Sequence, residues 1–475
     1  MRLILGLLFA ANTYAAAVLQ ISSATIAADG VTISVPIGSC STPLSPSSGI
    51  TGFTAYNTYQ GAAATISAAT ASGCTVTLTM PKPVAPSEGP LTISLATAGG
   101  SNLTDAGGNT PSATGNTSIT VDISATQWLY TSSVASSVRY EGAFLDNSSY
   151  HNVVQFLSAD GCVRFSGSPT LVGAYVYNGS SFGNRWTLKQ DGTEIHDWGA
   201  LTADGNYSVQ TPVTGLSGSH TYSICNVAAQ SVYPQIVSFR VDAALGTRPA
   251  AGQLIARFGS SIVQYWGSEY LTDSRLGDMY QFSTSLGLQD QFWGQSGATT
   301  CAVNSVIAAK STFTAGTNYA LAIIDTASIY NDVNASESTS TVAACITSDI
   351  NLLLALPTPP TKILVTGMIP IAAGQGPYTP YDTAVQAAVV AFANPSITWV
   401  SPLTWINTTA NPGSCSVGAG DRQSDALHIE GCGAGTNTGY AKYGIQLGVV
   451  VSSILSGGAG TSKVSGAVVS GATIQ

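Results

Sequence analysis

The hydrophobic pattern of this chain changes at one short segment, LGTRPAAG at residues 245–252. Before this segment, apolar and polar residues alternate in short runs that end at turn residues, which is typical of antiparallel strands with one buried face. After it, the apolar runs are nearly continuous and are separated by longer segments of helical composition, which is typical of a parallel sheet covered by helices. The 475 residues are therefore predicted to form several domains of two kinds.

Residues 18–122 are predicted to form a first β-sandwich. The segment ATIAADGVTISVP contains two alternating runs around Asp29-Gly30, a dipeptide that favours a two-residue hairpin turn. The segment CTVTLTMPKPVAPSEGPLTISLAT repeats the alternation with turn residues between its runs. Together with the loop LTDAGGN, this strand pattern resembles that of bacterial immunoglobulin-like domains.

Residues 126–245 are predicted to form a second β-sandwich, of the jelly-roll type. The strand runs in GCVRFSGSPTLVGAYVYNG, RWTLKQDGTEIHDW and GLSGSHTYSICNV end at Asn-Gly, Asp-Gly and Gly-Ser turns. The combination of VRFSG, an Asp-Gly hairpin and GLSGSHTYSIC is similar to the N-terminal domain of family 2 carbohydrate esterases.

Residues 250–457 are predicted to form a three-layer α/β domain, followed by a Gly/Ser/Ala-rich tail at 458–475. The buried strands are expected in QLIARFGSS, NYALAIIDTAS, TKILVTGMIPI and ITWVSPLTWI, and a helix in YDTAVQAAVVAFAN. A last amphipathic helix is indicated by apolar residues at helical spacing, namely Tyr440, Tyr443, Leu447, Val450 and Ile454.

The first residues, MRLILGLLFAANTYAAA, have the three parts of a secretory signal peptide. Residues 1–17 are assigned to it, with cleavage around Ala15 to Ala17; a first core strand is the alternative. The apolar run is too short to span a bilayer, so no stable membrane insertion is expected. A secreted chain with eight cysteines is expected to form disulfides between neighbours within domains, including Cys162–Cys225 and Cys415–Cys432.

The charge of the chain argues against a nucleic-acid partner. Charged residues make up 8% of the chain, and the formal net charge is −9, so no basic stripe is available to meet phosphates. The hydrophobic content of 44% is sufficient to build cores. The sequence does not predict an oligomeric state.

Two serine motifs compete as candidate nucleophiles. GSSFG, from Gly179 to Gly183, matches a G-x-S-x-G elbow, but its flanks are alternating strands, so it is interpreted as a hairpin connection. FGSSI follows the first strand of the α/β region, where ligands collect beyond the carboxyl ends of parallel strands. Ser260 and Ser261 are its two serines, and on an extended segment their side chains would point in opposite directions.

A serine nucleophile needs a base, and His428 is the one histidine of the α/β region. It lies in SDALHIEGCG, three residues after Asp425. On one turn, Asp425 would accept the Nδ1 proton while Nε2 faces the serine. The alternative is a surface histidine in a disulfide-bearing loop.

Four blocks in order, FGSSI, SGATT, YND and D-x-x-H, resemble those of the SGNH (GDSL-type) hydrolases over roughly residues 253–455. The resemblance implies a flavodoxin-like fold, with Ser261 as nucleophile and Asp425 and His428 as its triad partners. It also implies an oxyanion hole formed by the Ser261 backbone N–H, Gly297 and Asn331, without a cofactor or metal. Two positions depart from the family pattern: Ser260 replaces an Asp, and Ile329 replaces a Gly.

The predicted function is removal of acetyl groups from polysaccharides, xylan-like ones for example, through an acyl-enzyme. The predicted partner is therefore an acetylated polysaccharide or oligosaccharide. Aromatic side chains that would stack on sugar rings are Trp266, Trp293 and Trp405, although packing in a core is the more frequent role of such residues. Two alternatives remain: a GDSL-type lipase or esterase for small acyl esters, and a non-catalytic carbohydrate-binding or adhesion protein.

Overall fold

The computed structural model describes most of the chain between residues 18 and 456. The described residues are 18–57, 62–64, 66–85, 90–97, 99–112, 118–121, 123, 126–130, 134, 136–141, 144–147, 153–156, 161–179, 183–228, 234–250, 254–263, 289–311, 319–371, 376–409, 428–429 and 439–456. The predicted signal peptide and the C-terminal tail lie outside them. The chain divides into two compact units, Met1–Tyr130 with Ser238–Val241, and Thr131–Val237 with Asp242–Gln475.

The first unit is built from short antiparallel strands. One sheet has the order β1-β3-β8-β7, with β2 also paired to β3, and another has the order β11-β9-β5-β6. A two-stranded sheet joins β4 and β10. The strands are β1 Gln20–Ile21, β2 Thr25–Ile26, β3 Thr32–Gly38, β4 Leu44–Ser45, β5 Phe53–Asn57, β6 Ala62–Ala64, β7 Ala68–Ser72, β8 Thr75–Thr79, β9 Leu91–Leu95, β10 Thr104–Asp105, β11 Ser118–Val121 and β12 Trp128–Tyr130.

Strict alternation along these strands produces the core of the first unit. In β3, buried Ile33, Val35 and Ile37 alternate with half-buried residues, and β9 buries Leu91, Ile93 and Leu95 in the same way. Both sets belong to one apolar cluster, so the two larger sheets share a core. The predicted hairpin is confirmed, because β2 and β3 pair antiparallel on either side of Asp29-Gly30. The predicted two-residue turn is wrong, because Ile26 pairs with Ile33 and the connection is therefore longer.

The second unit begins with two further antiparallel sheets. Their orders are β14-β15-β22-β17-β20 and β13-β16-β21-β18-β19. The β-rich, multidomain character predicted from the sequence is therefore confirmed. The strands are β13 Val138–Glu141, β14 Phe144–Asn147, β15 Val153–Phe156, β16 Cys162–Gly167, β17 Leu171–Tyr177, β18 Arg185–Gln190, β19 Thr193–Ala200, β20 Tyr207–Thr214, β21 His220–Asn226 and β22 Gln235–Val241.

Three disulfides join cysteines within the described residues. Cys162 and Cys225 are directly opposite each other on β16 and β21, and their bond confirms the predicted pair. The other two bonds are Cys40–Cys74 and Cys301–Cys345. Cys415 and Cys432 lie outside the described residues, so their pairing stays a prediction.

The remainder of the second unit contains a five-stranded parallel sheet with the order β24-β23-β25-β26-β27. All four strands predicted from apolar runs are present, together with β24, which the sequence did not indicate. The elements are β23 Leu254–Gly259, β24 Gln289–Gly294, α1 Thr300–Ser311, β25 Tyr319–Asp325, α2 Ile329–Asn334, α3 Thr339–Leu354, β26 Lys362–Thr366, α4 Thr379–Ala391, β27 Ile397–Val400 and α5 Gly439–Leu455.

Alternate residues of the parallel strands enter two separate apolar clusters. Ala256 and Phe258 of β23 pack with residues of α1, α3 and α4. Ile255 of the same strand packs with Tyr443 and Leu447 of α5. Residues of α1, α3 and α4 therefore belong to one cluster and residues of α5 to the other, and α5 is the amphipathic helix expected near the C-terminus. Among the residues described, no helix combines the length and apolar character needed to cross a membrane.

One buried carboxyl group lies in the α3 helix and has no counter-charge among the described residues. Asp349 is fully buried, and neither of its carboxylate oxygens has a hydrogen-bond partner among the described residues. Burial raises the pKa of Asp349 from 3.8 to about 8, and the Asn304 side chain opposes the shift only in part. Asn304 instead donates a hydrogen bond to Ser348 Oγ at 2.8 Å. Asp349 is therefore neutral at pH 7 in the folded chain.

Asp349→Asn is expected to flatten the pH dependence of stability. The folded chain holds the Asp349 proton up to about pH 8, whereas the unfolded chain releases it near pH 4. The stability contributed by this proton is complete below about pH 4 and is lost as the pH rises to 8. The wild-type free energy of unfolding should thus fall by roughly 1 kcal/mol per pH unit more than that of the variant. Guanidinium unfolding at pH 5, 6 and 7 measures this difference, and equal slopes would contradict the assignment.

Candidate active site

Ser261 lies in a turn directly after β23. The strand ends at Gly259, and residues 260–263 leave the sheet as a bend and a turn. In the sheet, β23 lies between β24 and β25, which both follow it in the chain. The order of strands therefore reverses at β23, and in parallel α/β sheets such a reversal opens a crevice beyond the carboxyl ends of the strands. Ser261 is located where sheets of this kind bind ligands.

His428 lies beside Ser261, although 167 residues separate them in the chain. Its Nε2 atom is 3.0 Å from Ser261 Oγ, and the tautomer of the imidazole decides which group donates. Both residues are largely buried, with 8% and 9% of their surfaces exposed. The next residue, Ile429, is fully buried in the apolar cluster that includes α5, which fixes the histidine against the sheet. A hydroxyl and an imidazole in this geometry can act as nucleophile and base.

Asp425, which was predicted to orient His428, lies outside the described residues, as does Trp266. The two other predicted oxyanion residues, Gly297 and Asn331, are both described. Within the described part of the chain, no three His, Cys, Asp or Glu side chains are grouped so that they could hold a metal ion.

Gly297 lies in the loop after β24, and Asn331 lies in α2, which follows β25; these two strands flank β23 in the sheet. Gly297 follows β24 and has φ +71°, a left-handed conformation that favours glycine, and a Cβ atom there would meet no neighbour within 4 Å. Its backbone conformation, rather than crowding, accounts for the glycine. Asn331 follows β25, and its Nδ2 donates a hydrogen bond to the Ala298 carbonyl at 2.8 Å. This bond fixes the plane of an amide that carries a second hydrogen.

A buried network connects the start of α1 with the segment from Ser328 to Asp332. Asp332 accepts hydrogen bonds from the backbone N–H of Thr300 at 2.9 Å and from its hydroxyl at 2.6 Å. Thr300 Oγ1 is also 2.9 Å from Ser328 Oγ, and all three residues are buried. Burial raises the pKa of Asp332, and the two hydrogen bonds from Thr300 oppose this shift. The network holds the start of α1 against the segment that carries Asn331.

The two residues that depart from the family pattern, Ser260 and Ile329, are both buried. Ile329 has φ −52°, so its position does not require glycine, and its side chain packs in the cluster that contains α1 and α3. Ser260 is 1% exposed and lies in a bend. The expectation that the Ser260 side chain alternates away from Ser261 along an extended segment is wrong, because the segment is not extended.

Sequence reasoning missed a buried ion pair beneath the site. Arg257 of β23 and Asp325 at the end of β25 are both fully buried, and Nη2 lies 2.6 Å from Oδ2. The Tyr443 hydroxyl donates to the same oxygen at 3.3 Å, and its ring centre is 5.2 Å from Arg257 Cζ. The other Asp325 oxygen accepts from Ala327 N at 3.0 Å. The sequence feature that could have indicated this pair is Arg257 itself, which lies inside an apolar strand run, because a buried charge needs a partner.

The interpretation of Trp293 as a platform for sugar rings is wrong. Its side chain is 3% exposed and stacks on Phe258, with ring centres 4.6 Å apart. Trp405 is half-buried and packs edge-on against the Tyr443 ring at 5.1 Å. Both side chains support the parallel sheet, on opposite faces.

The GSSFG motif connects two strands that belong to different sheets. It follows β17 and precedes β18, and these strands do not pair with each other. The motif is therefore a crossing between sheets rather than the hairpin connection predicted from the sequence. Because a strand follows it instead of a helix, it lacks the geometry of a nucleophile elbow.

Arg257→Met is expected to destabilise the parallel sheet strongly, because it leaves the Asp325 carboxylate buried without its cation. Removing one partner of a buried pair typically costs about 3–5 kcal/mol. Arg257→Met combined with Asp325→Asn should recover most of this loss, since the amide can still accept from Ala327 N. Guanidinium unfolding, followed by hydrogen exchange of β23 and β25 peptides, measures the change.

A matched control is Arg185→Met, which breaks an Arg–Asp pair of the same 2.6 Å length with Asp197. Both of those side chains are about one quarter exposed, so the expected cost is roughly 0.2–1 kcal/mol. Equal costs for the two arginine variants would contradict the role given to the buried pair.

No protein-family model and no curated protein matches this sequence. Solved structures do match. An acetyl xylan esterase from the rumen bacterium Butyrivibrio proteoclasticus matches with a TM-score of 0.51 and 10% identity, over 70% of this chain and 98% of that structure. An active-site mutant of a family two carbohydrate esterase from Clostridium thermocellum matches with a TM-score of 0.50 and 13% identity, over 67% and 98%.

A GDSL-like lipase from Bacteroides ovatus also matches, with a TM-score of 0.43 and 15% identity, over 63% of this chain and 85% of that structure. At identities this low, the likeness is one of fold. Over about two thirds of its length, this chain shares the fold of family 2 carbohydrate esterases.

Proposed function

We propose that this chain is a secreted serine esterase that removes acetyl groups from polysaccharides such as xylan. Residues 250–457 act as its catalytic domain, a three-layer α/β domain of the flavodoxin-like SGNH type. Residues 18–122 and 126–245 are the two β-sandwich domains that precede it. The observation that carries the proposal is the 3.0 Å contact between Ser261 Oγ and His428 Nε2 at the strand end where the sheet reverses its order.

In the first step, His428 Nε2 takes the hydroxyl proton of Ser261 while Oγ forms a bond to the acyl carbonyl carbon. Asp425 accepts from Nδ1 and stabilises the imidazolium. The tetrahedral intermediate then breaks its bond to the sugar oxygen, which leaves with the proton from His428. A water molecule then attacks the acyl-serine: His428 takes its proton, and the hydroxyl oxygen bonds to the carbonyl carbon. The bond to Ser261 Oγ breaks, Oγ takes the proton back from His428, and the acid is released.

The charge on the intermediate is stabilised by the Ser261 N–H, the Gly297 N–H and the Asn331 side-chain amide. Support for these roles comes from the exposed position of Gly297 and from the hydrogen bond that orients Asn331 toward the same loop. Fixed neutral donors of this kind lower the barrier because they are already oriented when the charge forms. Loss of one such donor typically raises it by about 2.7–4 kcal/mol.

The substrate class rests on the fold shared with the acetyl xylan esterase and with the family two carbohydrate esterase. Secretion is supported by the three disulfides, which form and persist in oxidising compartments. The acetylated polysaccharide is accordingly the proposed partner.

Ser261→Ala is expected to abolish ester hydrolysis and labelling by a fluorophosphonate, because it removes the attacking oxygen. His428→Ala should be about as severe, since the members of a triad act as a unit, whereas Asp425→Ala should be milder. Ser260→Ala is the matched control, and it should keep most of the activity, because the hydroxyl within hydrogen-bond distance of His428 Nε2 is that of Ser261. Acetylated xylan and acyl p-nitrophenols of increasing chain length are the substrates to compare.

The two alternatives give different results in the same experiment. A preference for acyl p-nitrophenols over acetylated xylan would favour a GDSL-type lipase or esterase for small acyl esters. A wild-type protein that binds polysaccharide but neither hydrolyses nor labels would establish the non-catalytic binding protein and overturn the proposal.

A further inference from the structure

We propose that Tyr440, at the start of α5, is a positioning residue that sets the alignment of Ser261 with His428 through its hydrogen bond to the nucleophile turn. The inference rests on the proposed esterase function. It adds a residue on an element that none of the four sequence blocks contains.

The contact is direct and buried. The Tyr440 hydroxyl donates to the carbonyl oxygen of Ile262 at 2.9 Å, and the Tyr440 side chain is fully buried. Ile262 immediately follows Ser261 in the turn that carries the nucleophile. A buried carbonyl oxygen without a hydrogen-bond donor is destabilising, because its lost hydration is not replaced. The turn is therefore stabilised in the orientation that keeps this bond.

The same helix is joined to the histidine side of the site. Ile429, next to His428, is fully buried and belongs to the apolar cluster that contains Tyr440 and Tyr443. Ile262 and Val263 of the nucleophile turn belong to this cluster as well. The nucleophile turn, the residue next to His428 and α5 therefore all pack in the same apolar cluster.

Apolar packing alone leaves the rotation of the turn loosely defined, because dispersion and hydrophobic contacts have little directionality. The hydrogen bond from Tyr440 to the Ile262 carbonyl is directional, and it acts one residue away from Ser261. It therefore limits how far the turn can rotate and move Ser261 Oγ away from His428 Nε2. Because small displacements of a catalytic group slow the chemical step, this bond should affect kcat more than KM.

The test compares Tyr440→Phe with Tyr443→Phe. Both variants delete one hydroxyl from a fully buried ring on α5, but Tyr443 donates to Asp325, which keeps Arg257 and Ala327 N as partners. Activity is measured as kcat and KM on an acyl p-nitrophenol, and kcat is expressed per serine labelled by fluorophosphonate. Only molecules with an intact site are labelled, so this kcat does not change when a fraction of the variant is unfolded.

For Tyr440→Phe we expect kcat per labelled serine to fall about 10- to 100-fold, with KM changed less than about twofold. The rate constant of fluorophosphonate labelling should fall with it, because labelling uses the same serine and base. Tyr443→Phe should keep kcat per labelled serine within about twofold of wild type. A purely structural role for Tyr440 predicts fewer labelled sites with normal kcat per site, and that result would overturn the inference.

Failure of this inference and failure of the proposed function are distinguishable. A wild-type chain that neither hydrolyses nor labels overturns both. A wild-type chain that is active, together with a Tyr440→Phe variant of equal kcat per labelled serine, overturns the inference alone. Equal losses in Tyr440→Phe and Tyr443→Phe would also overturn it, because they would point to packing of α5 rather than to the bond with Ile262.

Discussion

The ion pair between Arg257 and Asp325 is the interaction on which the arrangement of the candidate site depends. It joins β23 and β25, the two strands whose ends carry the nucleophile turn and the Asn331 segment, and both charges are fully buried. Such a pair is tolerated only when its geometry is close and its remaining hydrogen-bonding groups find partners. Ala327 N donates to one Asp325 oxygen, and Tyr443 of α5 donates to the oxygen that also binds Arg257, so Asp325 keeps partners on both oxygens without the tyrosine.

The segment of eight residues from Asp325 to Asp332 connects the ion pair with the loop that contains Gly297 and the start of α1. At its start, Asp325 faces β23 and α5. At its end, Asn331 and Asp332 contact the loop that contains Gly297 and the start of α1. The segment thereby sets the distance between the nucleophile strand and the proposed oxyanion donors, and it does so with buried hydrogen bonds rather than with exposed contacts.

The strands of the parallel sheet were predictable where burial on both faces demands a continuous apolar run, as in LAIID of β25. The strand β24 escaped prediction because QDQFWG contains only two large apolar residues. These two residues are sufficient to bury the strand on both sides, because Phe292 packs in one apolar cluster and Trp293 in the other. The backbone of β24 pairs with β23. The helix α1 has a weak apolar pattern of its own, and the Cys301–Cys345 bond and Asp332 hold it in place.

The sequence by itself determined the kinds of residue that the chemistry needs and the order of its motifs, because hydrophobic periodicity and turn residues are local properties. The strand pattern around FGSSI and the one histidine of the α/β region indicated Ser261 and His428 as candidates, whereas Gly297 and Asn331 were implied by the resemblance of the motif order to SGNH hydrolases. Only the tertiary structure decided which groups meet: it brought Ser261 and His428 to 3.0 Å across 167 residues and buried Trp293 in a core. It also paired Arg257 with Asp325 and Tyr440 with Ile262, contacts between distant segments that no local pattern encodes.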